Sequence, residues 1–145
     1  MKILILNGPN LNLLGSREPD KYGSKSLTDI NSDIYEAAKK LDIEVDFFQS
    51  NIEGEIVDKI QQAKGAFDAV IINPAGYSYT SVAIRDAILA VSLPVVEVHL
   101  TNINSREEFR KNSIIAEVCI GQISGFQENV YKLGLIAFKD YFERA

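Results

Sequence analysis

Residues 2–23 read KILILNGPNLNLLGSREPDKYG, a short apolar run followed by a long polar connection. The connection carries three asparagines, one arginine (Arg17) and one tyrosine (Tyr22) between glycines and prolines. Connections of this length are uncommon inside compact α/β proteins and are usually functional. This segment therefore predicts a first strand over residues 2–6 that leads into a catalytic lid.

Strand and helix patterns alternate along the whole chain, with strands as short apolar runs and helices as apolar residues at helical spacing. Strands are predicted over residues 2–6, 44–48, 69–72, 94–99 and 118–123. Helices are predicted over residues 27–41, after residue 51, from just after residue 80 or 81 to about 91, as a short turn over 105–110, and from about 126 onward. In the last helix, the residues expected to be buried are Val130, Leu133, Ala137 and Tyr141.

Continuously apolar strands are typical of parallel sheets that are covered by helices on both faces. Five strand–helix units with right-handed crossovers predict an α/β fold, namely one flavodoxin-like, doubly wound domain over residues 1–145 with strand order 2-1-3-4-5. Such sheets bind ligands beyond the carboxyl ends of the strands, at the switch point between strands one and three.

Composition excludes several classes of function. The chain is acidic, with 20 Asp and Glu against 15 Lys and Arg, which disfavours nucleic acid as a partner. Its only cysteine, Cys119, cannot form an intrachain disulfide and is expected to be a small buried thiol, and one cysteine with one histidine cannot build an all-Cys/His zinc site. The sequence contains neither a GxGxxG nor a Walker A pattern, so it gives no support for a bound nucleotide. No apolar run resembles a signal peptide or a membrane span, so we expect a cytoplasmic protein without a membrane partner.

Polar residues follow three of the predicted strands at the point where each strand ends. Asn7 follows strand one, Asn73 follows strand three and His99 ends strand four. These strands are neighbours in the predicted order, so we expect Asn73 and His99 to face one crevice under the lid. This convergence indicates an enzyme or a small-molecule binder and does not by itself name the substrate.

Tyr22 is a candidate base. A free phenol ionises near pH 10, so a phenolate at neutral pH costs roughly 4 kcal/mol, and an opposite charge nearby offsets part of this cost. Arg17 lies five residues before Tyr22 and is placed to supply that charge. The alternative is a surface tyrosine beside a solvated arginine.

His99 follows Glu97 by two positions, so both side chains lie on one face of the strand and the carboxylate is placed to orient the imidazole as an acid. The alternative is a core histidine.

Asn73 is either a turn former before proline or an amide that holds a substrate oxygen. The basic cluster in residues 106–111 suits a carboxylate ligand, or is a solvated helix face.

Four blocks of sequence resemble the type II 3-dehydroquinate dehydratases, also called type II dehydroquinases. They are NGPNLNLLGSREPDKYG at 7–23, QSNIEGEIVDKI at 49–60, INPAGYSYTSVAIRDA at 72–87 and EVHLTNINSREEFRKNS at 97–113. The resemblance covers essentially the whole chain, and four blocks in this order are very specific. It implies a lyase without metal or cofactor that dehydrates 3-dehydroquinate to 3-dehydroshikimate, in the shikimate route to chorismate and the aromatic amino acids.

The resemblance also implies a role for each residue that matches the family pattern. Tyr22 is the base that removes the proton beside the ketone, and Arg17 favours its ionised form. Asn10 and Asn73 position the substrate and the water that supports the enolate.

On the other side of the implied site, His99 is the acid that protonates the departing hydroxyl, and Glu97 orients it. The backbone around Leu100 and Thr101 holds the substrate carboxylate, and Arg110 hydrogen-bonds substrate hydroxyls. The resemblance further implies a homo-oligomer, a dodecamer of four trimers, in which Asp86 reaches the site of a neighbouring subunit.

Two positions depart from the family pattern. Tyr79 stands where the family usually has a substrate-binding histidine, and Ala75-Gly76 stands where Gly-Ala is common. A phenol still makes a hydrogen bond but is longer and neutral at working pH, so we expect weaker substrate binding with the reaction retained. Two other functions stay open: a flavodoxin-like module that binds a small anion without catalysis, and a related lyase for another hydroxy-ketone acid.

Overall fold

The computed structural model describes residues 1–145 and contains a five-stranded parallel sheet with strand order β2-β1-β3-β4-β5. The strands are β1 (Lys2–Asn7), β2 (Glu44–Gln49), β3 (Ala69–Asn73), β4 (Val95–His99) and β5 (Gly121–Ser124). The helices are α1 (Pro19–Tyr22), α2 (Leu27–Lys40), α3 (Glu53–Ala63), α4 (Val82–Val91) and α5 (Asn129–Arg144). The predicted flavodoxin-like, doubly wound order is confirmed. None of the helices is both long enough and apolar enough to cross a membrane.

Helices cover both faces of the sheet. Alternate residues of a strand point to opposite faces, so Ile3 and Ile5 of β1 pack with α2 and α5, whereas Leu4 and Leu6 pack with α3 and α4. The three central strands are almost wholly buried, and the two edge strands β2 and β5 are half exposed. The prediction of strands that are buried on both faces is therefore correct for the three central strands and not for the two edge strands.

Helix α2 begins where its capping residues predict. Ser26 accepts a hydrogen bond from the Asp29 backbone amide at 3.1 Å, and the Asp29 carboxylate accepts one from the Ser26 amide at 3.2 Å. Such a reciprocal cap satisfies two amides that the helix itself leaves without partners. The predicted apolar stripe of Ile30, Ile34 and Ala38 is buried.

The predicted fifth strand and last helix both begin too early. Ala116–Val118 form a 3₁₀ helix, and β5 is confined to Gly121–Ser124. Phe126 and Gln127 adopt left-handed φ angles of 68° and 54°, which a right-handed helix cannot include, so α5 begins only at Asn129. The short helix predicted over residues 105–110 is instead a pair of 3₁₀ helices, Ile103–Ser105 and Glu108–Lys111.

The predicted buried face of α5 is correct at Val130 and wrong at Leu133, Ala137 and Tyr141, which are exposed. The stripe that packs on the sheet consists of Tyr131, Leu135 and Phe138, with Gly134 between them. Both stripes have helical spacing, so periodicity alone cannot choose between them. A Cβ at Gly134 would lie 2.9 Å from the Cδ1 atom of Ile71, so the close packing of helix on strand selects the observed face.

Candidate active site

A cleft opens beyond the carboxyl ends of β1, β3 and β4, at the predicted switch point between β1 and β3. The lid that follows β1 forms one wall, and the segments after β3 and β4 form the others. The lining residues are Pro9, Asn10, Leu11, Arg17, Tyr22, Asn73, Ala75, Gly76, His99, Leu100, Thr101, Arg106 and Arg110. The convergence that the strand ends predict is thus present in the fold.

The lid leaves β1 through a very close contact with the end of β3. Asn7 and Asn73 are partners in the β1–β3 register, and the Gly8 amide donates a hydrogen bond of 2.8 Å to the Asn73 carbonyl. A Cβ at Gly8 would lie 2.5 Å from the Pro74 carbonyl oxygen, so no other residue fits without moving the backbone. The glycine therefore sets the path by which the lid reaches the cleft.

Two guanidinium groups lie against the ring of Tyr22. Its centroid is 4.9 Å from the central carbon of Arg17 and 5.4 Å from that of Arg106. Tyr22 is half-buried on the short lid helix α1, which Gln127 anchors by donating a hydrogen bond of 2.9 Å to the Lys21 carbonyl. The lid thus holds a phenol in a cluster of positive charge.

His99 and Glu97 form a buried pair at the end of β4. The Nε2 atom of His99 lies 3.3 Å from the Oε2 atom of Glu97, as their two-residue spacing on one strand face predicts. The Ser78 hydroxyl donates to Glu97 at 3.2 Å and lies 3.3 Å from Nε2 of His99. His99 borders the cleft, whereas Glu97 lies beneath it and is fully buried.

Glu97 remains ionised because several donors surround its carboxylate. Ser113 Oγ donates at 2.8 Å, and Gln122 Nε2 donates at 2.5 Å from the adjacent strand β5. Burial opposes ionisation, but hydrogen bonds from His99, Gln122 and Ser113, together with the positive charge on His99, hold the pKa of Glu97 below its usual value. The Glu97 carboxylate behind His99 therefore orients the imidazole.

Tyr79 lies behind His99 and not in the lining of the cleft. Its ring stacks on His99 with centroids 6.2 Å apart, and its edge contacts Phe109 at 5.8 Å. Burial raises the pKa of Tyr79, and its buried hydroxyl has no hydrogen-bond partner. Arg110 covers the Tyr79 ring at 5.6 Å, while its Nε atom binds the Glu107 carboxylate.

Most of the residues predicted for the site line the cleft together: Asn10, Arg17, Tyr22, Asn73, His99, Leu100, Thr101 and Arg110. Glu97 and Tyr79 support His99 from behind. Asp86 is exposed on α4 and does not line the cleft of its own chain. Nowhere do three or more His, Cys, Asp or Glu side chains come together as metal ligands would.

Sequence reasoning did not assign a role to Arg106, although it noted the basic cluster that contains it. Arg106 lines the cleft, and its Nη1 atom donates a hydrogen bond of 3.3 Å to Thr101 Oγ1. Its Nε atom is buried without a partner. Its place beside Tyr22 depends on how two distant loops fold together, so the only signal in the sequence is a surplus of positive charge after strand four.

Fold and cleft define an α/β protein in which a phenol among guanidinium groups shares a cleft with a carboxylate-backed imidazole. Residues 1–139 match the family model described as dehydroquinase class II. The chain belongs to the class II dehydroquinase family, as the four sequence blocks predict.

Individual relatives agree with this assignment. The chain is 56% identical to a 3-dehydroquinate dehydratase from Geotalea daltonii, with 99% of this chain and 100% of that protein aligned. It is similar to the crystal structure of the type II dehydroquinase from Butyrivibrio crossotus, with a TM-score of 0.93, 46% identity and 97% of each chain covered. For the type II dehydroquinase from Propionibacterium acnes, the TM-score is 0.92 at 37% identity, with 96% of each chain covered.

Proposed function

We propose that this chain dehydrates 3-dehydroquinate to 3-dehydroshikimate, as a lyase of the shikimate route to chorismate and the aromatic amino acids. The observation that carries the proposal is the arrangement in one cleft of Tyr22, flanked by Arg17 and Arg106, with His99, backed by Glu97. Membership of the class II dehydroquinase family supports the choice of substrate.

In the proposed first step, Tyr22 acts as a phenolate and takes the proton from the carbon beside the substrate ketone. The electron pair of the broken C–H bond moves into an enolate. The guanidinium carbons of Arg17 and Arg106, 4.9 Å and 5.4 Å from the ring centroid, place two positive charges beside the phenol. Asn10 and Asn73 line the same cleft and position the substrate and a water that supports the enolate oxygen.

In the second step, the enolate reforms the ketone and expels the hydroxyl group from the neighbouring carbon. His99 donates a proton to this poor leaving group, so that water departs and a conjugated enone remains. The Glu97 carboxylate, 3.3 Å from Nε2 of His99, orients the imidazole for this transfer. Tyr22 has then gained one proton and His99 has lost one, and exchange with solvent restores both.

The remaining lining residues suit recognition of the substrate. We assign the substrate carboxylate to the backbone amides around Leu100 and Thr101, and the substrate hydroxyls to Arg110. The reaction changes no oxidation state overall, and base, acid and enolate stabiliser are all side chains, so we propose that it uses neither metal nor cofactor. We further propose that the enzyme is cytoplasmic and a dodecamer of four trimers.

The proposal is tested by the rise in ultraviolet absorbance as purified protein converts 3-dehydroquinate to the enone. Tyr22→Phe should lose at least about a hundredfold in kcat, the scale for removal of a general base, and should still bind substrate. Tyr35→Phe, an exposed tyrosine on α2, is the matched control and should keep full activity. Folded native protein that binds the substrate without turnover would instead favour the anion-binding module.

A further inference from the structure

A buried tyrosine outside the cleft reaches the ends of two strands that form it. Tyr131 lies on α5 and is 0% exposed, and its hydroxyl sits between Asn7 at the end of β1 and Asn73 at the end of β3. It donates a hydrogen bond of 2.5 Å to the Asn7 side-chain oxygen and accepts one of 3.2 Å from the Asn73 side-chain nitrogen. No step of the proposed mechanism uses this residue.

The chain of hydrogen bonds has only one consistent direction. A phenol has a single hydrogen, and Tyr131 gives it to Asn7, so toward Asn73 it acts only as an acceptor. On its other side, the side-chain oxygen of Asn73 accepts a hydrogen bond of 3.2 Å from the Ala75 amide. Together these contacts fix which end of the Asn73 amide is oxygen and which is nitrogen.

This orientation decides what Asn73 offers to a ligand. Its oxygen accepts from Ala75 and one of its two amide hydrogens is given to Tyr131, so the second amide hydrogen has no partner within the protein. Since Asn73 lines the cleft, the group available to an anionic oxygen or to a bound water is a donor. A donor stabilises a developing enolate, whereas a carbonyl in the same place would repel it.

We propose that Tyr131 is a positioning residue, which holds the Asn73 amide in the orientation that presents an N–H donor to the cleft. This inference rests on the proposed function, in which that donor serves the enolate oxygen or its supporting water. Complete burial also raises the pKa of Tyr131, so the phenol stays neutral and keeps the hydrogen that it gives to Asn7.

The test is a double-mutant cycle with Tyr131→Phe and Asn73→Ala. Removal of one donor to an oxyanion costs about a hundredfold or more in kcat, so we expect that loss for Asn73→Ala. We expect about a tenfold loss for Tyr131→Phe, with KM changed by less than about threefold, because the donor is misplaced and not removed. In the Asn73→Ala background, Tyr131→Phe should change kcat by no more than about twofold, since coupled residues are not additive.

The control is Tyr35→Phe, which removes a hydroxyl from an exposed position on α2 and should leave kcat unchanged. A purely structural role would lower kcat by a similar factor in both backgrounds and would overturn the proposal, as would unchanged kcat in Tyr131→Phe. If circular dichroism shows that Tyr131→Phe does not fold, Asn7→Ala replaces it in the cycle. In that variant the phenol hydrogen is free, so the Asn73 amide is able to rotate and accept it through its oxygen, and the same non-additive loss is expected.

A crystal structure of the tested variant separates this inference from the proposed function. We expect the Asn73 side chain to be rotated or to be held by a new water in place of the hydroxyl. An Asn73 amide in its original position with no new partner would overturn the positioning role even if the native enzyme is fully active. Absence of turnover in the native protein would overturn the proposed function, and the Asn73 geometry would still report on Tyr131.

Discussion

At the scale of single residues, Glu97 links the stability of the fold to pH. Its pKa lies below its ordinary value of 4.5, since hydrogen bonds from His99, Gln122 and Ser113 outweigh burial. The folded state therefore binds the proton more weakly than the unfolded chain. The resulting stabilisation is complete above pH 4.5 and is lost as pH falls through the lower pKa of the folded state.

We expect Glu97→Gln to lower the free energy of unfolding by about 2 kcal/mol at neutral pH, the scale for hydrogen bonds to a buried charge. The difference in unfolding free energy between the native protein and the variant should shrink as the pH falls below 4.5, because the Glu97 carboxylate of the native protein then becomes protonated and loses its charge. Urea unfolding at neutral and acidic pH measures both. Glu44→Gln, an exposed position on β2, should show neither effect. The same deficit at both pH values would contradict the linkage.

Residues of the site could be predicted where the chemistry is local in sequence. Tyr22 with Arg17 on one loop, and Glu97 with His99 on one strand, are pairs whose spacing alone brings them together. Tyr131 could not be predicted, since its partner Asn7 lies 124 positions away. The other residues missed in the same way are the Glu97 partners Ser78, Ser113 and Gln122, together with Arg106 beside Tyr22.

At the scale of elements, the turn after β3 holds an alanine in a conformation that suits glycine. Ala75 has a φ angle of 53°, in the left-handed region that costs an L-residue roughly 1–2 kcal/mol. The next residue, Gly76, does not have a positive φ, and a Cβ built on it meets no atom within 4 Å. The departure from the Gly-Ala order common in the family therefore places each residue at the less suitable of the two positions.

Exchange of the two residues, Ala75→Gly with Gly76→Ala, should stabilise the protein by about 1 kcal/mol. The first change relieves the left-handed alanine, and the second reduces the freedom of the unfolded chain. The Ala75 amide that holds Asn73 is retained, so turnover should be preserved. Urea unfolding of the double variant and of each single variant measures the gain. Lower stability in the double variant would show that the alanine is favoured by contacts elsewhere in the turn.

The elements that could be predicted are those with strong local signals. Central strands are uninterrupted apolar runs, and α2 has both a capping pair and an apolar stripe. The region from 116 to 128 has an apolar run but no such signals. The left-handed conformations of Phe126 and Gln127 separate β5 from α5, and these residue types do not predict them. The face of α5 depends on the approach of Gly134 to β3, which is a tertiary contact.

At the scale of the whole molecule, the proposed dodecamer needs surfaces that a neighbouring copy can cover. An apolar concave surface away from the cleft includes Leu89, Ile120 and Tyr141, whose exposure is between 43% and 55%. Asp86 lies on α4 with Leu89 and faces solvent, so it is available to a neighbouring copy. Light scattering coupled to gel filtration should report a mass about twelve times the 16.1 kDa of the chain, in keeping with closed symmetry. A stable monomer would contradict the proposed dodecamer.

A mixing experiment tests whether Asp86 acts in a neighbouring site. We expect Asp86→Ala and Tyr22→Phe each to lose most activity as pure oligomers. After unfolding and joint refolding in equal amounts, a site with its own Tyr22 and a neighbour's Asp86 should form in about a quarter of cases, with activity to match. No recovery would place the function of Asp86 within its own chain. Wild-type protein carried through the same refolding is the control.

The hydrogen bond between Tyr131 and Asn7 has a consequence for the order in which the protein is made. Every side chain assigned to the reaction is translated before α5, but the nitrogen of the Asn73 amide gains its Tyr131 partner only when that helix docks. A chain released early from the ribosome therefore contains all the reacting groups and lacks the contact that orients one of them. Docking of α5, a helix that supplies no reacting group, is in this way a condition for the full set of hydrogen bonds at the ends of β1 and β3.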